Sequence, residues 1–556
     1  MTFTEHFLRL LVRRPRPALA ALYWHLTRRR VRARNILRVA SAELPFAYSL
    51  WIAANEQTAR LENRTREIME GWQWRPRFSI LLHSSDGCAP EELINSVRSV
   101  ERQSYRHWGF AGGADEPIGS RIASVDADYL VPLRAGDELS STALFRFAEA
   151  AQANRPAILY GDEDQIDARG RRSQPWFKPQ WNREMFLAMD YLSSAAAIDV
   201  NLARGLGGTR DEEDVQGLLL EATAAADGSI IHIPHILCHK RGAERPSIRR
   251  IDAVAAHVNA LGATCRLSAF DTIKVEWPLP AELPLVTVIV PTRDKLELLR
   301  PCVNGVLGRT DYSNFELLII DNGSIELRTA QYLRDLASHP RVRIVSFPEP
   351  YNFSAMNNFG VRHATGSFVC LLNNDTEVVE PAWLTELMRY AVRADVGAVG
   401  AKLLYEDGSI QHAGVVVGIG QAAGHAHRFL PAGEPGYFRM AHVSQFVSAV
   451  TAACLVIDKG KFHAAGGLDE ELAVAFNDVD LCLRIEAAGW RNVYVPHSVL
   501  LHHESKTRGS DMSPEQIGRY HREVAILQHR WGTKTYADPL HNPNLDRATE
   551  TFAFSL

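Results

Sequence analysis

Two stretches roughly two hundred residues apart repeat one pattern, and that repeat limits the possible folds more than any other feature of the chain. "PRFSILLHSSDGCAPEELINSVRSV" begins at Pro76 and "PLVTVIVPTRDKLELLRPCVNGVL" at Pro284. Each reads as an apolar β-run, a polar turn and a segment of helical period. "DADYLVPLRAGDEL" (126–139) then answers "TGSFVCLLNNDTEV" (365–378), and "HIPHILCHKR" (232–241) answers "YVPHSVLLHHE" (494–504). The offset grows from 208 at the first pair to 262 at the last, and the order is kept. This is the pattern of a duplication whose first copy has lost about fifty residues.

The losses fall where chemistry is expected. "FELLIIDNGS" (315–324) ends its β-run on Asp321, whereas "HWGFAGGADE" (107–116) offers Gly112 and Gly113. "FNDVDLCLR" (476–484) is answered only by "RDEEDVQGLLLEA" (210–222), whose approach is shorter. The first copy therefore reads as a degenerate fold-mate and the second as the working domain. In the second copy strands are expected at 285–290, 315–320, 342–346 and 367–372, with helices at 295–308, 326–337 and 354–364 between them. That alternation predicts an α/β domain around a mostly parallel sheet, with ligands at the carboxyl ends of the strands. The expected layout is a basic helical segment over 1–75, a degenerate domain over 76–245 and a connection over 246–283. A working domain over 284–532 and a tail over 533–556 complete it.

Three acids cluster at that predicted edge. Asp321 and Asp375 close β-runs, and Asp294 follows "VTVIVPTR" in the turn. A single acid there is a turn former, but three near one sheet edge predict a site. A pyrophosphate at such a place needs a hard cation, for which carboxylate oxygen is the fitting ligand. Asp294 and Asp321 are placed to accept hydrogen bonds from a base or ribose. Asp478 and Asp480 stand at a helix start, where an acid is either a cap that suits the helix dipole or a general base.

The blocks "VTVIVPTRD", "LLIIDNGS", "YNFSAMNNFGVRHATG", "LLNNDTEV", "GGLDE", "FNDVDLCLR" and "HHESKTRG" resemble the family 2 glycosyltransferases of GT-A fold. Within them the tandem-domain O-antigen and polysaccharide rhamnosyltransferase-like subgroup is the nearest in pattern. "GDEDQID", "WFKPQWN" and "DPLHNPNL" extend the resemblance outside the second copy. It implies two GT-A-like domains, the first degenerate, and an inverting transfer from a nucleotide-diphosphate sugar to a glycan or lipid-linked acceptor. It further implies donor contacts from Thr292, Asp294, Asp321 and Asn357. Asn373 and Asp375 match the first and second acids of the family's DxD motif. Asp375 would hold Mg²⁺ or Mn²⁺, while Asn373 offers only an amide. Asp478 matches the family's base, with Asn477 in place of a Glu, and Asp480 becomes the helix stabiliser. In "LLHHESKTRG" one of His502 and His503 would be a metal or diphosphate ligand, with Lys506 and Arg508 closing over phosphate.

Two other classes compete: a non-catalytic glycan-binding scaffold with eroded sites, favoured by Asn373 and Asn477, and a sugar-nucleotide pyrophosphorylase. The latter wants a glycine-rich basic loop, and "VPTRDKLELLR" has no glycine. "VVVGIGQAAGHAH" (415–427) imitates a dinucleotide loop with the wrong GxGxxxG spacing. It reads better as a flexible acceptor-side loop. "SPEQ" (513–516) and Gly532 bracket a helix.

Seven dispersed cysteines without a CxxC pair predict a reducing, cytoplasmic setting. Residues 1–40 hold ten arginines and one acid. Their longest apolar run, Ala18 to Trp24, is far short of the ~20 residues a membrane span needs. Arginines around Leu22, Tyr23, Trp24 and Leu26 predict either a helix lying on an anionic inner-membrane face or one packed on the protein's own acidic body. No basic, aromatic-studded surface recurs later, which argues against nucleic acid.

Overall fold

The computed structural model describes residues 3–56, 58–83, 89–113, 116–206, 215–226, 228–242, 248–503 and 516–555. The chain divides into two units, Met1–Val275 with His541–Asp546 and Ala553–Leu556, and Glu276–Leu540 with Arg547–Phe552. The basic N-terminal helices thus belong to the first unit, and the stretch expected as a separate tail is shared out between the two.

In the second unit the sheet order is Val342–Ser346, Phe315–Asp321, Val286–Thr292, Phe368–Leu372, Cys454–Asp458, Val396–Leu404, Arg491–His502 and Thr376–Val378. The first four strands are parallel. Every residue of Val286–Thr292 is buried, as expected of a strand covered on both faces, where an apolar run replaces alternation. Helix Phe353–His363 supplies that cover on one face. At Gly360 a Cβ would come within 2.5 Å of Ile289 Cγ2, so glycine lets this helix lie against the strand. All seven expected elements are present with ends shifted by two residues or fewer. Beyond Leu372 the sheet turns mixed. Cys454–Asp458 runs antiparallel to both its neighbours, and Arg491–His502 runs parallel to Val396–Leu404.

In the first unit the order is Trp108–Phe110, Phe78–His83, Tyr129–Arg134, Ala196–Asp199, Ile158–Ile166, Ile230–Lys240 and Glu138–Leu139. Apart from Val342–Ser346, this is the second unit's order strand for strand. The senses also agree, with Phe78–His83 parallel to Tyr129–Arg134, Ala196–Asp199 antiparallel to both neighbours, and Ile158–Ile166 parallel to Ile230–Lys240. The duplication read from sequence is therefore present as one topology used twice.

Three short helices, Phe3–Arg13, Pro15–Leu26 and Arg30–Ala42, share a small core of Leu10, Ala18, Ala21, Leu37 and Ala40. Val12, Leu26 and Tyr23 remain 86%, 72% and 58% exposed. Trp24 is covered by the guanidinium groups of Arg32 and Arg29, 4.2 and 5.2 Å from its ring centre. Among the described residues no helix is long and apolar enough to cross a membrane.

Candidate active site

Four elements of the second unit end at one cavity of about 550 Å³, and its lining includes Thr292, Asn373, Asp375, Gln411, Asp478 and His502. Val286–Thr292 delivers Thr292 at its carboxyl end. Phe368–Leu372 runs into the loop of Asn373, Asn374 and Asp375. Thr376–Val378 then pairs antiparallel with Arg491–His502, Thr376 opposite His502. That register sets Asp375 Oδ1 3.1 Å from His502 Nε2. The His503 backbone N–H also donates to the Asp375 carbonyl at 2.9 Å. Asn374 donates to Thr292 Oγ1 at 3.0 Å, tying the two strand ends together.

His502 Nδ1 lies 2.7 Å from Gln411 Oε1, and its Nε2 lies 3.2 Å from Asn373 Nδ2. Asn373 Oδ1 is buried without a hydrogen-bond partner among the described residues. The Asn373 amide group, the Asp375 carboxylate and an imidazole nitrogen of His502 thus meet. Burial opposes ionisation of Asp375, but the hydrogen bond and charge of His502 outweigh it and hold its carboxyl below the usual range. Among the described residues no three His, Cys, Asp or Glu side chains form a complete cage. The set fits a divalent cation of the kind held by one or two protein groups and completed by substrate phosphates.

Asp478 lines the same cavity from the second position of helix Asn477–Ala487. The capping position is Phe476, which has a left-handed backbone at φ 63° and makes no side-chain cap. Asp478 Oδ2 accepts from the Ala452 N–H at 3.1 Å, and Oδ1 from the Val479 N–H at 2.8 Å. Desolvation nevertheless raises its pKa above the usual carboxylate range, against those hydrogen bonds. Asp480 is fully buried and accepts from Arg484, Arg530 and Trp531 at 2.8–2.9 Å, so it fastens the helix. Asn477 is locked by donation to Ser354 Oγ and the Leu472 carbonyl at 3.0 and 3.2 Å.

The remaining expected residues lie elsewhere. Asp294 Oδ1 accepts from the N–H groups of Ile325 and Glu326 at 2.8 and 2.9 Å. Asp321 Oδ1 accepts from Ser324 Oγ at 2.6 Å. Both shape the loops at neighbouring strand ends, and neither lines the cavity. Asn357 is fully buried and donates to the Phe353 carbonyl at 2.8 Å, so it too stands outside the lining. His503 turns away to Glu406 and Glu377. Lys506 and Arg508 lie outside the described residues. The loop expected on the acceptor side is an ordered hairpin, Val415–Val417 against Ala423–His425, and Val415, Gly424 and His425 do line the cavity. Gln411 and the Ala452 amide were not anticipated. Neither carries a charge or a motif that marks it in the sequence.

The first unit has spent the same positions on itself. Asp137, the counterpart of Asp375, accepts from Arg134 Nη2 and Nε at 3.0 and 3.2 Å and from the Arg241 N–H at 3.0 Å. His239 stands opposite Glu138 in the register that His502 takes opposite Thr376, and its Nδ1 is 2.6 Å from Asp164.

A parallel α/β core turning mixed, with polar residues of several strand ends around one cavity, is the layout of a GT-A fold. Residues 287–420, within the second unit, match the model of glycosyl transferase family 2. The uncharacterized protein y4gI of Sinorhizobium fredii is 36% identical over 90% of this chain and 61% of its own length. The O-antigen biosynthesis protein RfbC of Myxococcus xanthus is 36% identical over 87% of this chain and 39% of its own. This chain therefore spans less than two thirds of either relative. Among solved structures, a mannosyltransferase of Pyrobaculum calidifontis with GDP-Man and Mn²⁺ shows 17% identity and a TM-score of 0.35, over 48% of this chain and 70% of that one.

Proposed function

We propose that the chain is an inverting glycosyltransferase. It moves a sugar from a nucleotide-diphosphate donor to a hydroxyl of a glycan or lipid-linked acceptor in the synthesis of cell-surface polysaccharide of the O-antigen kind. The observation that carries this reading is one cavity with two unlike carboxylates. Asp375 is held ionised beside His502, and Asp478, in the lining of the same cavity, is raised in pKa. Environments that push two acids apart assign them different tasks.

Asp478 accepts the proton of the acceptor hydroxyl as its oxygen bonds to the anomeric carbon and the bond to the diphosphate breaks. The Ala452 and Val479 N–H groups orient the carboxylate for that transfer. Asp375 and His502 would hold Mg²⁺ or Mn²⁺, with the Asn373 amide beside them, and the ion would supply charge stabilisation to the departing diphosphate. Thr292 borders the same wall, and Asp294 and Asp321 order the neighbouring strand ends for the base and ribose. The N-terminal helices place the protein at the cytoplasmic face of an anionic membrane. The similarity to an O-antigen biosynthesis protein supports the pathway class.

The test is nucleotide-diphosphate affinity and donor hydrolysis across UDP-, GDP- and dTDP-sugars, with and without Mn²⁺. Metal-dependent binding and turnover that Asp375→Ala removes is the expected result. A chain that binds glycan but neither binds nor cleaves any donor is a scaffold, and the proposal fails.

A further inference from the structure

Gln411 belongs to the short strand Ile410–His412, which pairs with Val396–Leu404. Leu404 is opposite Ile410 and Leu403 is opposite His412, so Gln411 is the extra residue of a β-bulge. Bulges beside active sites re-aim a side chain, and here the bulged residue is 4% exposed and borders the cavity. Its Oε1 is 2.7 Å from His502 Nδ1. An amide oxygen only accepts, so Nδ1 carries a proton and Nε2 is the nitrogen left to bind a cation. Nε2 lies 3.1 Å from Asp375 Oδ1 and 3.2 Å from Asn373 Nδ2. A carboxylate beside an imidazole nitrogen suits a cation, and a proton on Nδ1 is what ligation through Nε2 requires.

We propose that Gln411 is a positioning residue that fixes the ring and tautomer of His502, so that Nε2 is presented to the divalent cation beside Asp375. This rests on the cation reading given above. The first unit gives the contrast, since its register-equivalent His239 meets the carboxylate of Asp164 and Asp137 is taken by arginine.

The experiment uses the full chain and Mn²⁺, alone and with UDP, GDP or dTDP. Electron paramagnetic resonance gives the affinity, and electron spin-echo modulation reports nitrogen bound to the ion. The wild type is expected to show nitrogen modulation that His502→Ala removes. Gln411→Leu is expected to weaken Mn²⁺ binding about 10–100-fold, the usual effect of losing an outer partner, and to diminish the modulation. Gln411→Glu is expected to retain both, because a carboxylate also accepts from Nδ1–H. If Gln411→Leu does not fold, Gln411→Met takes its place. Unchanged affinity and modulation in the apolar variant overturn the proposal. So does a Glu variant as weak as the Leu variant, which would trace the loss to packing. A wild type with no Mn²⁺ site sensitive to Asp375→Ala overturns the cation reading as well, whereas an Asp375-dependent site indifferent to Gln411 overturns this inference alone.

Discussion

Asp478 shows how one environment separates two roles that sequence leaves together. Its raised pKa means that the folded state binds its proton at a pH where the unfolded chain has released it. Stability therefore falls as pH rises through that window. Asp478→Asn removes the cost of ionisation and keeps most hydrogen-bonding capacity. The variant is expected to melt no lower than the wild type at pH 7, while turnover falls by about 10²–10⁴-fold with donor affinity preserved. Wild-type turnover is expected to decline on acidification through the same raised pKa. Asp480→Asn should show the opposite balance, because the carboxylate ties Arg484 and Arg530 to the helix. Breaking a buried pair costs about 3–5 kcal/mol, read as a lowered melting temperature with a smaller loss of turnover per folded molecule. An Asp478→Asn variant with full turnover would return that residue to helix capping.

Among the elements, the strand Val396–Leu404 carries a charge that sequence pattern does not flag. Lys402 is 5% exposed, and among the described residues its Nζ has one hydrogen-bond partner, His442 Nδ1 at 3.3 Å. Burial lowers its pKa from 10.5 to about 8. The fold thus disfavours the charged form, and this cost is present below pH 8 and relieved as pH rises toward 10.5. Lys402→Met is expected to raise the melting temperature at pH 7, by an amount that shrinks at pH 10. An equal or lower melting temperature at pH 7 contradicts the assignment. The parallel half of the sheet was legible because each strand is a short apolar run bounded by turns and followed by a helix-period segment. The mixed half was not, since its pairings join segments far apart in sequence. Gln411 was hidden for the same reason, as a bulge exists only relative to the partner strand. Asp294, Asp321 and Asn357 were legible as residues of strand ends and a helix, but not the direction their side chains take.

At the scale of the molecule, the basic helices and the two copies each make a claim. The exposed Val12, Tyr23 and Leu26 stand among arginines, a combination suited to an anionic bilayer surface. Replacing all three by serine is expected to abolish binding to vesicles containing phosphatidylglycerol. Wild-type binding should weaken with salt as charges are screened. Equal binding of the serine variant would move the membrane contact elsewhere. The duplication was legible as order and offset, yet its asymmetry needed the structure, because Arg134 takes Asp137 in one copy while His502 attends Asp375 in the other. That asymmetry is the centre of the account, and matched substitutions test it most directly. Nucleotide-sugar turnover of the full chain should be measured against Mn²⁺ concentration for Asp375→Asn and Asp137→Asn, per folded protein. The account predicts that Asp375→Asn loses metal-dependent turnover and that Asp137→Asn retains it. Loss with Asp137→Asn and retention with Asp375→Asn would contradict it.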